Sequence, residues 1–554
     1  MPYVVTRSCC ADASCVLACP VNCIHPAPGE PGFAEAEMLY VDPRACVDCG
    51  ACATACPVDA LKPHTRLTAG ERPFLDLNAA YYDDDPHAVR TPLALVPRQR
   101  RLSDGELRVA VVGAGPAGLF AADELLKHPG VGVTVLDRLP TPYGLARAGV
   151  APDHQDTKQV TRLFEAIEGQ PGFSYRLGVE VGRDLRHEDL LRTHHAVVYA
   201  VGAATDRRLG IDGEDLPGSV AATDFVAWYN GHPDHGATTY ALDCERAVVV
   251  GNGNVALDVA RVLTADPAAL GRTDIADGAL EALRGSRVRE VVVLGRRGPA
   301  EASFTLPELL ALAALDDIDV VVEGWPEGLA EDTSAKTALL AELAARTPVP
   351  GRRRIVLRFL ATPTRVLGGE RVSGLEVART ELRTDADGTV RAVPTGATDV
   401  IETSLVLRSV GYRARPVPGL PFDGATGTVP HERGRVEPGV YVAGWIKRGP
   451  SGFIGTNKSC AEETVEALLD DFEAGLLTAP AAGTGGADAT VATAYADAVG
   501  LDGWQAIDRA ERAAGALRGR PRVKITDREA LLATARQAPP APRRRLLLPV
   551  VRRS

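Results

Sequence analysis

Nine of the chain's eleven cysteines fall between Cys9 and Cys56, and only Cys244 and Cys460 occur in the rest of the 554 residues. A local demand for sulfur therefore constrains the N-terminal fold more than any hydrophobic pattern does. Cys46, Cys49, Cys52 and Cys56 follow C-x2-C-x2-C-x3-C, with Pro57 directly after. Three thiolates at two-residue gaps wrap a compact loop around three corners of an iron-sulfur cubane, while the fourth, offset by a turn and followed by proline, ligates the second cluster of a two-cluster protein. Cys19-Pro20 mirrors Cys56-Pro57, which assigns Cys46, Cys49, Cys52 and Cys19 to one set and Cys9, Cys15 and Cys56 to the other. Zinc also binds C-x2-C pairs, but it needs no run of three ending in Cys-Pro.

The second set departs from the first, because its middle cysteine is displaced into a Cys9-x5-Cys15 spacing. Three ligands predict a 3Fe-4S centre. Cys10 as a fourth ligand would instead make both centres 4Fe-4S, and Cys23 has no clear ligand position. The segment from Cys15 to Ile24, followed by M-L-Y-V-D-P-x-x-C-V-D-C-G-A-C, resembles the seven-iron ferredoxins. A disulfide framework is the competing use of so many cysteines. It suits a small secreted chain, whereas this one shows no signal-like N-terminus and no apolar run of bilayer length. The expected location is the cytoplasm, with no membrane partner.

Past residue 67 a Pro- and charge-rich stretch through Arg101 reads as a linker, and then the text changes. VAVVGAG, a helical AGLFAADELL and VTVLDR form a βαβ unit; AVVVGNG, VALDVARVL and VVVLGRR repeat that grammar from Ala247. Gly113, Gly115 and Gly118 stand after a strand and open a helix, as a pyrophosphate-binding turn requires, and Asp137 ends the next strand where a carboxylate meets ribose hydroxyls. The second unit reads Gly251, Asn252, Gly253, Asn254, Val255 and Ala256. No acid closes it; Arg296 and Arg297 do, and paired guanidinium groups in that place bind a 2′-phosphate. FAD and NADP(H) are thus expected on the two units. A net charge of −11 argues against nucleic acid as a partner, because neutralising phosphates takes clustered positive charge.

Four longer motifs carry a family resemblance: LPTPYGLARAGVAPDH at Leu139 to His154, VVGNGNVALDVARVL at Val249 to Leu263, GRRGPAEASFTLPEL at Gly295 to Leu309, and GWIKRGPSGFIGTNK at Gly444 to Lys458. With the cysteine block, the chain resembles the adrenodoxin-reductase-type ferredoxin-NADP reductases in their ferredoxin-fused bacterial form. The resemblance implies an α/β fold with two Rossmann-like dinucleotide domains of the glutathione-reductase/adrenodoxin-reductase type, preceded by a small α+β ferredoxin domain. The implied boundaries are 1–67 for the ferredoxin domain, 68–105 for the linker, 106–205 with 405–475 for the FAD domain, 206–404 for the NADP domain inserted between them, and 476–554 for an extension outside the reductase fold. The strand-like SLVLRSVGYR and GVYVAGW are both expected to return to the FAD domain.

Carried over motif by motif, the resemblance places FAD on Ala117, Asp137, Leu145, the backbone near Val181, Trp445 and Gly452, Phe453 and Ile454. It places NADP on Asn252, Gly253, Asn254 and Val255, completed by Arg207, Arg296, Arg297, Glu308 and Gly452. His154 and Glu308 are implied to orient nicotinamide and handle protons. The implied activity is that of a ferredoxin-NADP(+) reductase: NADPH reduces FAD by hydride transfer, and FAD exchanges single electrons with the fused clusters and with a ferredoxin or other one-electron acceptor protein. An electron-input protein like the glutamate synthase small subunit would also combine cysteines with two dinucleotide folds, but not the texts at Leu139 and Gly444; a non-catalytic electron-transfer module is the third reading. Five arginines among the last thirteen residues read as a solvated tail, and WQAIDRAERAAGAL reads as a helix.

Overall fold

Leu107–Val112 and Arg246–Val250 are almost continuously apolar and almost wholly buried, as central strands of parallel sheets covered on both faces must be. A computed structural model describes residues 2–84, 100, 102, 105–325, 334–386, 388–480 and 489–538. In it Leu107–Val112 lies at the centre of a six-stranded sheet ordered Arg435–Glu437, Val440–Val442, Ala196–Tyr199, Leu107–Val112, Val131–Asp137 and Phe173–Leu177. Only the first pair is antiparallel. Arg246–Val250 belongs to an all-parallel sheet ordered Ser219–Ala221, Val406–Arg408, Arg246–Val250, Glu290–Leu294, Arg353–Arg358 and Ile318–Glu323. A three-stranded antiparallel sheet, Ala361–Gly368, Val372–Thr384 and Val390–Glu402, adjoins the second domain.

This arrangement divides the strand pair expected to return to the first domain. Val440–Val442 does return, beside Ala196–Tyr199, but Val406–Arg408 completes the second sheet between Ser219–Ala221 and Arg246–Val250. The physical reason lies at the second glycine turn. A Cβ on Gly251 would stand 2.1 Å from the Ser409 carbonyl oxygen, so the turn closes against the end of that very strand. The first turn closes in the same way, with Gly113 against Ala200 at the end of Ala196–Tyr199.

The small N-terminal domain pairs Tyr3–Val5 with Leu61–Pro63 and Ile24–His25 with Tyr40–Val41, with short helices Ser14–Ala18 and Ala51–Ala55. Its border lies beyond residue 67. Pro73–Asp84 is a helix whose first residue is the proline, a place where the missing N–H costs nothing. Asn78 on that helix accepts from the Val5 and Val41 N–H groups at 3.1 and 2.9 Å and donates to the Val5 carbonyl at 2.9 Å, tying the two small sheets together. The Tyr82 hydroxyl donates to the Tyr40 carbonyl at 2.6 Å. Residues 68–84 are therefore part of the domain; the rest of the expected linker lies almost wholly outside the described residues.

The region from residue 476 is likewise no appendage where it is described. The helix read over WQAIDRAERAAGAL is present as Leu501–Ala516. Val499 exchanges two backbone hydrogen bonds with Leu177 on the edge strand of the first sheet, and Trp504, Ile507 and Leu531 are buried in the first domain's core. Further on, Arg520 donates to the Thr273 and Ile275 carbonyls of the second domain. Residues 499–536 thus strap the two dinucleotide domains together. The arginine-rich tail lies outside the described residues. Among the described residues no helix is long and apolar enough to cross a membrane.

Candidate functional site

Both glycine turns have the shape a nucleotide needs. Gly113 and Gly251 each hold φ at +110°, where a side chain is strained, and a Cβ on Gly118 would stand 1.9 Å from the Gly113 carbonyl oxygen. Asp137 turns its carboxylate toward the first turn and accepts from the Ala114 and Leu139 N–H groups, each at 2.8 Å. Burial pushes its pKa up against those two donors. Across the cleft a Cβ on Gly444 would stand 2.6 Å from Ala117 Cβ, so the GWIKRGPSGFIGTNK segment begins directly beside the helix of the first turn. The Trp445 indole N–H donates to the Ser451 carbonyl at 3.1 Å, and Phe453 N–H to Thr456 Oγ1 at 3.0 Å, which fixes the loop through Gly452 and Ile454. Leu145 stands exposed on the Gly144–Ala148 helix, and Val181 bridges Leu185. A Gly113→Ala chain should fold yet purify with little flavin, because the methyl would lie 2.4 Å from the Ala200 carbonyl oxygen; the flavin-to-protein absorbance ratio measures this.

The second turn presents donors and cations. Asn254 accepts from Thr305 N–H at 2.8 Å, holding the helix that carries Glu308 against Gly253 and Val255. Gly295 is tight against Asn252, whose Nδ2 would lie 2.7 Å from an added Cβ. Arg207 and Arg296 are exposed and Arg297 half-buried; none of the three guanidinium groups makes a hydrogen bond or ion pair among the described residues. Three uncommitted cations beside a dinucleotide turn are the chemistry that a phosphate monoester takes.

At the junction of the domains the structure brings His154 and Glu308 together, with 3.9 Å between Nε2 and Oε2, and adds four groups that the motifs did not single out. Arg261 binds Asp153 at 2.8 Å, Asp258 at 2.6 Å and Glu308 at 3.2 Å, and it also donates to His154. Arg7, from the cysteine domain, reaches the same point, donating to His154 Nε2 and lying 3.5 Å from Glu308. Burial first, then Arg261, holds the His154 pKa below its ordinary value, so the ring is neutral at pH 7. Burial works to raise Glu308, but the guanidinium groups of Arg7 and Arg261 outweigh it and keep the carboxylate ionised. The side chains of His154, Asp258 and Glu308 come close enough to share a cation, yet the guanidinium groups of Arg7 and Arg261 already fill that role.

Four of the seven expected sulfur ligands stand together, and with them a cysteine to which the spacing gave no ligand position. Cys19, Cys46, Cys49 and Cys52 line one cavity together with Tyr3, Cys23 and Ile24. Cys23 lies with its sulfur 3.4 Å from that of Cys19; hydrogen bonding to it brings the Cys19 thiol down to about 5 and the Cys46 thiol to about 6, against the opposing effect of burial. Cys52, in the same set, is pushed up to about 12 by burial. Cys9, Cys15 and Cys56 lie deeper; burial pushes Cys9 up to about 12 and Cys15 well above its ordinary value. The donor set fits iron-sulfur ligation.

Residues 39–62 match the 4Fe-4S binding domain family, and residues 107–275 match the pyridine nucleotide-disulphide oxidoreductase family. A protein of Mycobacterium tuberculosis described as a probable ferredoxin/ferredoxin--NADP reductase is 51% identical over 99% of this chain and 97% of its own length. The chain belongs to the ferredoxin/ferredoxin-NADP reductase family. The solved structure of Mycobacterium tuberculosis FprA in complex with NADPH is 44% identical, with a TM-score of 0.74, and covers 78% of this chain and 100% of that one. The mitochondrial NADPH:adrenodoxin oxidoreductase of Arabidopsis thaliana is 39% identical over 78% of this chain and 96% of that one.

Within this ferredoxin-NADP reductase framework the four missed residues differ in how far the sequence could reveal them. Asp258 and Arg261 stand three apart on one helix inside a quoted motif, and Asp153 precedes His154, so charge patterning along those motifs would have found them. Arg7 gives no signal, since only the docking of the cysteine domain brings it to Glu308.

Proposed function

We propose that this chain is an NADPH-dependent FAD enzyme, a ferredoxin-NADP(+) reductase, that exchanges electrons between NADPH, its own iron-sulfur domain and a ferredoxin-like one-electron acceptor. One observation carries the reading: Arg7 of the cysteine domain, His154 of the first dinucleotide domain and Glu308 of the second meet at a single junction. Bound flavin supplies the chemistry that joins two-electron hydride transfer to single-electron transfer. The protein's share is position and field. The Gly113 and Gly251 turns bring two pyrophosphates to the carboxyl ends of facing sheets. Hydride loss leaves positive charge on nicotinamide, which the ionised Glu308 favours and the neutral His154 does not oppose.

The Cys46, Cys49, Cys52 and Cys19 set is read as a 4Fe-4S site. Cys10 directs its sulfur toward Asp12 Oδ1 at 3.7 Å and gives its carbonyl to Gly455 N–H, which supports a three-cysteine 3Fe-4S reading for Cys9, Cys15 and Cys56. NADPH added without oxygen to FAD-loaded protein should bleach the flavin absorbance and then reduce an added ferredoxin; a flavin that stays oxidised would sink the proposal. Arg296→Ala and Arg297→Ala should each raise the KM for NADPH by about 10- to 100-fold, the worth of one charged hydrogen bond to phosphate, with little change for NADH. Steady-state kinetics with both nucleotides measures this.

A further inference from the structure

The two cysteine sets stand differently toward the reductase. The loop carrying Cys9 and Cys10 is bonded to the segment expected at the flavin: Gly455 N–H donates to the Cys10 carbonyl at 2.7 Å, and Lys458 Nζ to the Asp12 carbonyl at 3.2 Å. Cys10, Val58 and Ala60 are buried in the same apolar cluster as Ala117 and Ala461 of the first dinucleotide domain, and Cys9, Cys56 and Ile454 pack against it. Both loops that supply the Cys9, Cys15 and Cys56 set are thus built into the reductase core. The other set lies outside that cluster: Cys19 and Cys52 are buried in the small domain's own core, and the set reaches the surface at Cys49. Cys49 is exposed, and its neighbour Val47 is 58% exposed. Arg44, Cys46 and Gly50 find their hydrogen-bond partners inside the small domain, at Asp83, Asp42 and Thr54.

We propose that the sets act in a fixed order: Cys9, Cys15 and Cys56 hold the inner centre, which exchanges electrons with flavin, and Cys46, Cys49, Cys52 and Cys19 hold the outer centre, through which electrons leave the chain. The inference rests on the reductase reading above and adds the direction of the relay. For each NADPH, a hydride carries two electrons and a proton to flavin and NADP+ departs. The two electrons would then leave one at a time, by way of the centre held on Cys9, Cys15 and Cys56 and then the centre held on Cys46, Cys49, Cys52 and Cys19, to two molecules of a one-electron acceptor protein, and the one proton of the hydride would go to solvent. Each centre is reduced and reoxidised once per electron.

The test uses the whole holoprotein and EPR. A soluble dysprosium chelate speeds the relaxation of a paramagnetic centre according to its depth below the surface. It should raise the half-saturation power of the outer centre's signal several-fold more than that of the inner centre, with Cys49→Ser and Cys15→Ser identifying which signal is which. In Cys49→Ser, NADPH should still reduce the inner centre. In Cys15→Ser, NADPH should fail to reduce the outer centre while dithionite succeeds. Equal relaxation of both signals, stronger relaxation of the inner one, or loss of NADPH-driven reduction of the inner centre in Cys49→Ser would each overturn the order. Should Cys15→Ser not fold, the relaxation arm on the unaltered protein still decides. Protein without iron would instead remove the reductase reading itself, which separates the two failures.

Discussion

Asp274→Asn should destabilise the protein by about 3–5 kcal/mol, the cost of leaving buried charge without its partner. Asp274 is 4% exposed and lies between two buried ammonium groups, Lys158 Nζ at 2.7 Å and Lys524 Nζ at 2.8 Å. Lys158 belongs to the first dinucleotide domain, Asp274 to the second, and Lys524 to the strap that follows residue 499. Gln155 donates to the same carboxylate at 2.9 Å, and Lys524 also reaches the Arg147 carbonyl at 3.1 Å. Removing the charge at Asp274 leaves two ammonium groups facing each other in the interior, whereas Lys524→Met removes one cation and leaves a matched pair. Lys524→Met alone should therefore cost less than Asp274→Asn, and the double variant, in which Lys158 still lacks its carboxylate, should regain only the Lys158–Lys524 repulsion, a non-additivity that thermal unfolding followed through buried Trp504 would measure. Because the knot fixes the second dinucleotide domain against the first, hydride transfer under the proposed function should slow as well.

The same knot sets an acid limit. Burial would raise the Asp274 pKa, but Lys158 and Lys524 hold it far below the ordinary carboxylate range. A carboxylate whose folded pKa is depressed stabilises the fold in full above its unfolded value, about 3.9, and loses that contribution as pH falls toward the folded value. The strap should accordingly hold through neutral and mildly acidic pH and release below about pH 4. Proteolysis of residues 519–526 against pH would follow the release.

Gly455→Val should uncouple the clusters from the flavin while leaving NADPH oxidation by ferricyanide in place. The φ of Gly455 is −66°, which any residue adopts, so only its neighbour forbids a side chain. That neighbour is the Ala11–Asp12 backbone, with the Ala11 carbonyl oxygen 2.0 Å from where a Cβ would stand. A valine would push the cysteine domain off its seat, and displacement on the ångström scale costs on the order of a hundredfold where reacting groups must be held in place. Stopped-flow absorbance would then show flavin bleaching at its usual rate and cluster reduction about a hundredfold slower. Equal slowing of both phases would mean that the glycine serves the flavin site itself.

What the sequence disclosed and what it withheld divide along a physical line. Spacing within one loop or turn was legible: the cysteine runs, because cluster geometry dictates them, and Gly113 and Gly251, because their φ of +110° and the missing Cβ are local requirements. Properties that depend on which distant segment arrives next to a residue were not. The apolar run at Val406 suits either parallel sheet, and only the seat of Gly251 on Ser409 assigns it to the second. Pro73 looked like an interruption because a proline at the first turn of a helix and one in a linker read alike. Lys158 and Asp274, 116 residues apart, meet Lys524 from a segment whose Ala- and Gly-rich surroundings gave no hint of burial.

The insertion of the second dinucleotide domain also governs how the protein is made. The cysteine domain is continuous, so all its strands are available once residue 84 has left the ribosome. The first dinucleotide sheet is not, because Ala196–Tyr199 waits for Val440–Val442. At about 5–20 residues per second, the roughly 240 intervening residues take some ten to fifty seconds to synthesise. Throughout that interval one side of Ala196–Tyr199 is an open strand edge, the kind of surface that invites pairing with a neighbouring chain. The strap emerges after both sheets have their strands and locks the two domains only then, so a nascent chain halted before residue 499 holds every predicted ligand and nucleotide contact and still lacks the clamp that fixes their relative placement.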